Sequence, residues 1–195
     1  MLTNNEKLVL RMLLINTDYS INQIANECNL SPNGALKILR KFEKEGILIS
    51  KDIANIKSYR INFANEKTSA VLELALISEP EGRVRYRLED IKVLKETAKC
   101  CVLFGSYISL KKEPKDIDVL FILDKADYKE YKKKLAGIRE IVPAKVHDVV
   151  QTEEDLRQGI IRKDAIISEI LRLGVILWGQ KIIVGVVKDA CSRQA

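Results

Sequence analysis

The chain has 195 residues and a mass of 22.1 kDa, and 47% of its residues are apolar. That length holds two compact units and not three, and that composition is too apolar for a disordered chain. Lys and Arg number 33 against 27 acids, a net charge of +6 with a pI near 9.1, compatible with a polyanionic partner without requiring one. No segment approaches the roughly 20 apolar residues of a membrane span. The best stretch, 174–187, is interrupted by Gln180 and Lys181. The first residues carry no basic stretch followed by a small-residue cleavage site, so the expectation is a cytoplasmic protein with no membrane partner. Cys28, Cys100, Cys101 and Cys191 form no C-x-x-C pair, and His147 is the single histidine. A structural zinc site and hydrolases of the Ser-His-Asp or Cys-His kind are thereby disfavoured.

In chain order, residues 4–16 carry the wide apolar stripe of a helix, with Leu8, Leu10, Met12, Leu13 and Ile15. After a turn at 17–19, Ser20 reads as the N-cap of a second helix with Ile21, Ile24, Ala25 and Cys28 at helical spacing. Ser31-Pro32 restarts a helix, with a capping hydroxyl and then proline at the first helical position, and Gly46 ends it. Ala35, Ile38, Leu39 and Phe42 predict its buried face and leave Asn33, Lys37, Arg40, Lys41 and Lys44 mostly on the polar side. ILIS, KDIAN and IKSYRINF then read as a hairpin. Three helices and a hairpin, carried by Leu30-Ser31-Pro32 and Gly46-Ile47-Leu48, resemble a winged helix-turn-helix over residues 1–62.

Residues 63–83 read as a helical connector, with a helix at 66–77 broken by Glu79-Pro80-Glu81-Gly82. A helix at 88–99 follows, and then strands alternate with helices: CVLF, DIDVLFIL, the basic helix YKEYKKKLAGIREI, AKVHDVVQT, two further helices, VILW and a last helix over 181–189. Thr152 with Asp155 three residues on predicts a cap for the helix after AKVHDVVQT. The whole predicts an α+β protein: an N-terminal winged helix-turn-helix, then a small mixed α/β domain over residues 84–195.

The stretch FGSYISLKKEPKDIDVLFIL, 104–123, combines four features. A buried strand ends in Gly105-Ser106, a helix begins there, a loop with Pro114 follows, and a second strand opens with Asp116-Ile117-Asp118. Unpaired amides at a helix start hold phosphate, and Gly105 and the Ser106 hydroxyl add close approach and a hydrogen bond. Alternation puts Asp116 and Asp118 on one strand face, where a divalent cation relieves their repulsion. The plainer reading has both aspartates solvated at the strand mouth beside Lys111, Lys112 or Lys115.

Taken together, these features resemble the nucleotidyltransferase superfamily of the polymerase-beta type, and specifically its minimal nucleotidyltransferases. The nine residues between Ser106 and Asp116 are close to the spacing of that group. The resemblance implies Mg²⁺ and an NTP, with ATP the first candidate, and transfer of a nucleoside monophosphate to a hydroxyl of a protein or small molecule. It implies Gly105 and Ser106 on the phosphates, Asp116 and Asp118 as metal ligands, and a third carboxylate on the next strand. Asp148 is the candidate for the third, on one face with Val146 and Val150. If the register turns His147 inward instead, the third acid is missing, and the domain binds nucleotide yet transfers slowly or not at all.

If residues 1–62 form a winged helix, the helix from Ser31 to Glu45 enters the major groove of double-stranded DNA. Asn33 then pairs with adenine, Lys37, Arg40 and Lys41 meet phosphate or guanine, and Lys51, Lys57 and Arg60 on the wing reach phosphates. Against the enzyme stand two other readings. One is a transcriptional regulator whose second domain is a weak nucleotide sensor or dimerisation platform, a homodimer by default. The other, on resemblance alone, is the antitoxin of a toxin–antitoxin pair.

Overall fold

A computed structural model describes residues 1–15, 19–53, 56–78, 84, 89–108, 116–142 and 145–193. The chain divides into two compact units, Met1–Ile77 and Ser78–Ala195.

In the first unit, α1 spans Asn4–Ile15, β1 Tyr19–Ser20, α2 Ile21–Glu27, α3 Pro32–Lys44, β2 Leu48–Ile53, β3 Ile56–Ile61 and α4 Lys67–Leu76. The start signals act as their chemistry predicts. Ser20 closes a capping box with Gln23, accepting from Gln23 N at 3.3 Å while Gln23 Oε1 accepts from Ser20 N at 2.9 Å. The Ser31 hydroxyl accepts from Gly34 N at 3.1 Å, ahead of Pro32 at the first position of α3. Gly46 ends the turn after α3 with φ +73°, where a Cβ would come within 2.7 Å of the Asn65 amide. The three strands form an antiparallel sheet in the order β1-β3-β2, with Ser50 opposite Tyr59 and Lys51 opposite Ser58. Val9, Leu10, Leu13, Ile24, Leu39, Phe42, Leu48 and Tyr59 form the core.

Two features depart from the sequence reading. Tyr19 lies in a short third strand rather than a turn. Residues 67–76 are not a connector: α4 packs on α1, burying Leu72, Ala75 and Leu76, and Lys7 Nζ donates to the Ile77 carbonyl at 2.9 Å. The first unit therefore extends beyond residue 62, and the Pro80 break of the sequence reading lies outside the described residues.

In the second unit, a 3-10 turn at Lys92–Glu96 leads into β4, Cys100–Phe104, then a 3-10 turn at Gly105–Ile108 and β5, Asp116–Ile122. Next come α5, Tyr128–Ile141, β6, Lys145–Gln151, α6, Glu153–Ile161, α7, Ala165–Leu173, β7, Val175–Trp178, and α8, Gln180–Ser192. The sheet order is β6-β5-β4-β7; β5 and β6 are parallel and the other pairs antiparallel. One face of the sheet carries Cys101, Leu103, Ile117, Val119, Phe121 and Val146 into a core closed by Tyr131, Leu135 and Ile138 of α5. Phe121 and Tyr131 stack at a tilt, 5.2 Å between centroids. Thr152 and Asp155 form the expected capping box at the start of α6. No described helix is long and apolar enough to cross a membrane.

Candidate functional site

Helical geometry organises the first candidate surface. At 100° per residue, Asn33, Lys37, Arg40 and Lys44 fall within about 60° of one another on α3. All four are exposed, opposite the buried Ala35, Leu39 and Phe42. The Asn33-Lys37-Arg40-Lys44 spacing in the sequence already marks Lys44 as a member of this stripe.

Lys41 lies off it. Its Nζ donates to Glu6 Oε1 at 2.7 Å, tying α3 back to α1. Glu6 also accepts from Thr3 N at 2.8 Å. Burial raises the Glu6 pKa, but the Lys41 and Thr3 hydrogen bonds outweigh it and the carboxyl sits below its usual value. Lys41 is thus ion-paired within the domain, beside the stripe and not part of it.

The wing divides in the same way. Ile49 pairs with Arg60 and Lys51 with Ser58, so Lys51 and Arg60 share one face of the sheet, and both are exposed. Lys57 pairs with Asp52 on the other face and sits 3.1 Å from Glu43 of α3. The Ser50 hydroxyl also donates to Glu43, and Ser50 and Lys57 together hold its carboxyl below the usual range. Lys57 therefore ties the wing to α3.

The second candidate lies at the start of β5. Asp116 and Asp118 share a face, both partly exposed. Phe104, the cross-strand partner of Asp118, immediately precedes Gly105. Gly105 has φ +72°, and a Cβ there would collide with Asp118 Oδ2. A glycine is required both by the backbone conformation and by the carboxylate pressed against it. Ser106 follows, exposed. Residues 105–108 form a 3-10 turn, and the rest of the helix expected after it lies outside the described residues. Lys111, Lys112, Pro114 and Lys115 lie outside the described residues.

The parallel pairing of β5 with β6 decides the third position. Asp118 is opposite His147, and Val119 is opposite Asp148. His147 therefore stands on the face of the aspartate pair, its Nδ1 3.4 Å from Asp118 Oδ1, longer than an ordinary hydrogen bond. Asp148 points through the other side of the sheet into α5, with its side chain 7% exposed. There Tyr131 Oη donates to Asp148 Oδ2 at 3.0 Å and Lys132 Nζ to the same oxygen at 2.8 Å. Arg139 donates to Oδ1 at 2.7 Å and to the Val146 carbonyl at 2.9 Å. Burial raises the Asp148 pKa, but the Lys132 and Tyr131 hydrogen bonds and the charges of Lys132 and Arg139 carry it below the usual aspartate value. Asp148 is a clamp between β6 and α5. It does not join Asp116 and Asp118, which corrects the expectation of a third carboxylate.

The donor set would suit at most a single divalent cation: Asp116 and Asp118 would supply two carboxylates, and the rest of its shell would come from outside the protein. It does not fit two cations sharing three carboxylates, and no group of three or more His, Cys, Asp or Glu placed to hold a metal occurs among the described residues. The basic run 128–134 is partly consumed internally, because Lys132 pairs with Asp148 and Lys134 with Glu130 and Glu96.

No curated protein sequence matches the chain. Among solved structures, a zinc-responsive MarR family member, Lactococcus lactis ZitR, aligns at 17% identity over 49% of this chain and 76% of that one, with a TM-score of 0.31. A mutant of the same Lactococcus lactis protein aligns at 15% identity over 72% and 75%, with a TM-score of 0.33. Residues 2–49 match the family model described as winged helix-turn-helix DNA-binding. The N-terminal part of the chain is a winged helix-turn-helix DNA-binding domain.

Proposed function

We propose that this protein is a cytoplasmic, DNA-binding transcriptional regulator whose second unit senses a nucleotide or mediates dimerisation and does not transfer efficiently. The observation that carries the reading is the exposed stripe Asn33-Lys37-Arg40 on α3 of a winged helix-turn-helix domain. Asn33, near the helix start, suits bidentate hydrogen bonding with adenine; Lys37 and Arg40 suit guanine or phosphate. Lys51 and Arg60 on the outer face of the wing suit backbone phosphates. A homodimer matches a two-fold operator and is the expected state. The experiment is selection of duplex DNA by the full chain, followed by a gel shift on the selected and a scrambled duplex. Preference for the selected duplex supports the reading; equal retention of both, or of neither at low salt, overturns it.

One observation favours a second reading. The backbone of Gly105 meets the Asp118 carboxylate on the side of the sheet that carries Asp116, an arrangement suited to Mg²⁺ with the phosphates of ATP. In that reading the second unit is a nucleotidyltransferase acting on a hydroxyl, on a protein or a small molecule. The position of Asp148 weighs against it. Transfer of label from ATP with Mg²⁺, abolished by Asp116→Asn and Asp118→Asn, would restore the enzyme; its absence supports the regulator.

A further inference from the structure

The four-stranded sheet ends at β6, and parallel pairing decides which main-chain groups of that strand are used. Leu123 N donates to the Gln151 carbonyl at 3.0 Å, so Gln151 turns its main chain toward β5, and by alternation so do Lys145, His147 and Val149. Val146, Asp148 and Val150 turn theirs outward. Arg139 donates to the Val146 carbonyl at 2.9 Å. The main-chain amides and carbonyls of Asp148 and Val150 have no partner among the described residues. Asp148 is partly exposed although its side chain is 7% exposed, so it is the main chain that meets solvent there.

An open edge of this kind pairs with a further strand. Between the outward groups of Asp148 and Val150 stands Val149, an apolar side chain 40% exposed. A strand that meets its own copy about a two-fold axis runs antiparallel, and its outward groups must meet outward groups. Centred on Asp148, such a pair sets acid directly against acid. Centred on His147, it needs the Val146 carbonyl that Arg139 holds. Centred on Val150, it needs the Thr152 amide, which donates to Asp155 Oδ2 at 3.0 Å. Centred on Val149, it needs only the free groups of Asp148 and Val150. In that register the exposed Lys145 falls opposite the start of α6 in the other copy, where the first turn is acidic.

We infer that β6 pairs with β6 of a second copy of this chain, antiparallel and centred on Val149, so that two four-stranded sheets join into one. Asp148 exchanges main-chain hydrogen bonds with Val150 of the partner subunit. Val149 packs on Val149 of the partner subunit as a non-hydrogen-bonded pair, the kind in which facing side chains come closest. The Asp148 carboxylate stays covered by Lys132 and Arg139 of its own chain. This pairing supplies the surface for the dimerisation named in the proposed function and rests on that part of it alone, so association is measured without DNA.

The test is sedimentation velocity of the full chain over a concentration series. Wild type forms a dimer. Val149→Lys and Val149→Glu each set like charges against one another on the axis and weaken the dimer about tenfold or more. An equimolar mixture of the two variants associates again, which also shows that both fold. Hydrogen exchange supplies a second readout: the amides of Asp148 and Val150 exchange more slowly as wild type dimerises. A monomer at every concentration, a dimer indifferent to both charges, or a mixture that associates no better than either variant alone would overturn the inference. A dimer indifferent to both charges leaves the DNA-binding reading intact, and loss of duplex selectivity leaves this dimer intact, so the two failures are told apart.

Discussion

The two faces of the four-stranded sheet use the same side chain for opposite ends. On one face Asp148 is sealed beneath α5 and satisfied by a phenol, an ammonium and a guanidinium. On the other, Asp116 and Asp118 stand partly exposed and side by side, with His147 the only described basic group the structure pairs with Asp118. A carboxylate with both oxygens bonded to fixed donors holds a fold together. A pair of carboxylates left with capacity to accept is suited to hold a cation. Adjacent residues on β6, His147 and Asp148, fall on different sides of this divide because strand periodicity is two.

Removing each acid in turn separates the two roles. Asp148→Ala leaves Tyr131 Oη and Lys132 Nζ without this acceptor and leaves Arg139 held to the strand by the Val146 carbonyl alone, and is expected to cost about 1–3 kcal/mol in urea unfolding. Asp116→Asn with Asp118→Asn removes a repulsion and is expected to leave stability within about 0.5 kcal/mol of wild type, or above it. Equal losses in both variants would erase the distinction.

Acid titration sharpens it. The folded pKa of Asp148 is depressed, so its contribution to stability is fully present above the unfolded carboxyl value and is lost as pH falls through the folded value. Asp148→Asn is expected to flatten the acid limb of a stability–pH curve, and an unchanged limb would show that the clamp is not electrostatic. A smaller effect is expected at Gly105→Ala. The positive φ costs about 1–2 kcal/mol for a residue with a Cβ, and Asp118 must also move, so the melting temperature is expected to fall.

The first unit is legible in the sequence wherever the signal is local. Ser20, Ser31-Pro32 and Gly46 are capping chemistry that acts within a few residues, and the exposed stripe of α3 follows from helical angles alone. Lys41 and Lys57 escape such a reading because their partners, Glu6 and Glu43, are 35 and 14 residues away. In the second unit, alternation within a single strand suffices to put Asp116 and Asp118 on one face. Whether that face is shared with His147 or Asp148 depends on the register of β6 against β5, a tertiary property that no residue in 144–152 declares by itself.

In the proposed function α3 meets DNA through Asn33, Lys37 and Arg40, while Lys41 and Lys57 serve the fold. The direct measurement is the salt dependence of duplex binding by fluorescence anisotropy for wild type, Lys37→Ala, Arg40→Ala, Lys41→Ala and Lys57→Ala. Lys37→Ala and Arg40→Ala are each expected to weaken binding, and removal of a charge that neutralises a phosphate to lower the salt slope by about 1. Lys41→Ala and Lys57→Ala leave the slope unchanged and cost at most about 1 kcal/mol of stability. The same slope in all five proteins, or a fall confined to Lys41→Ala and Lys57→Ala, would contradict it.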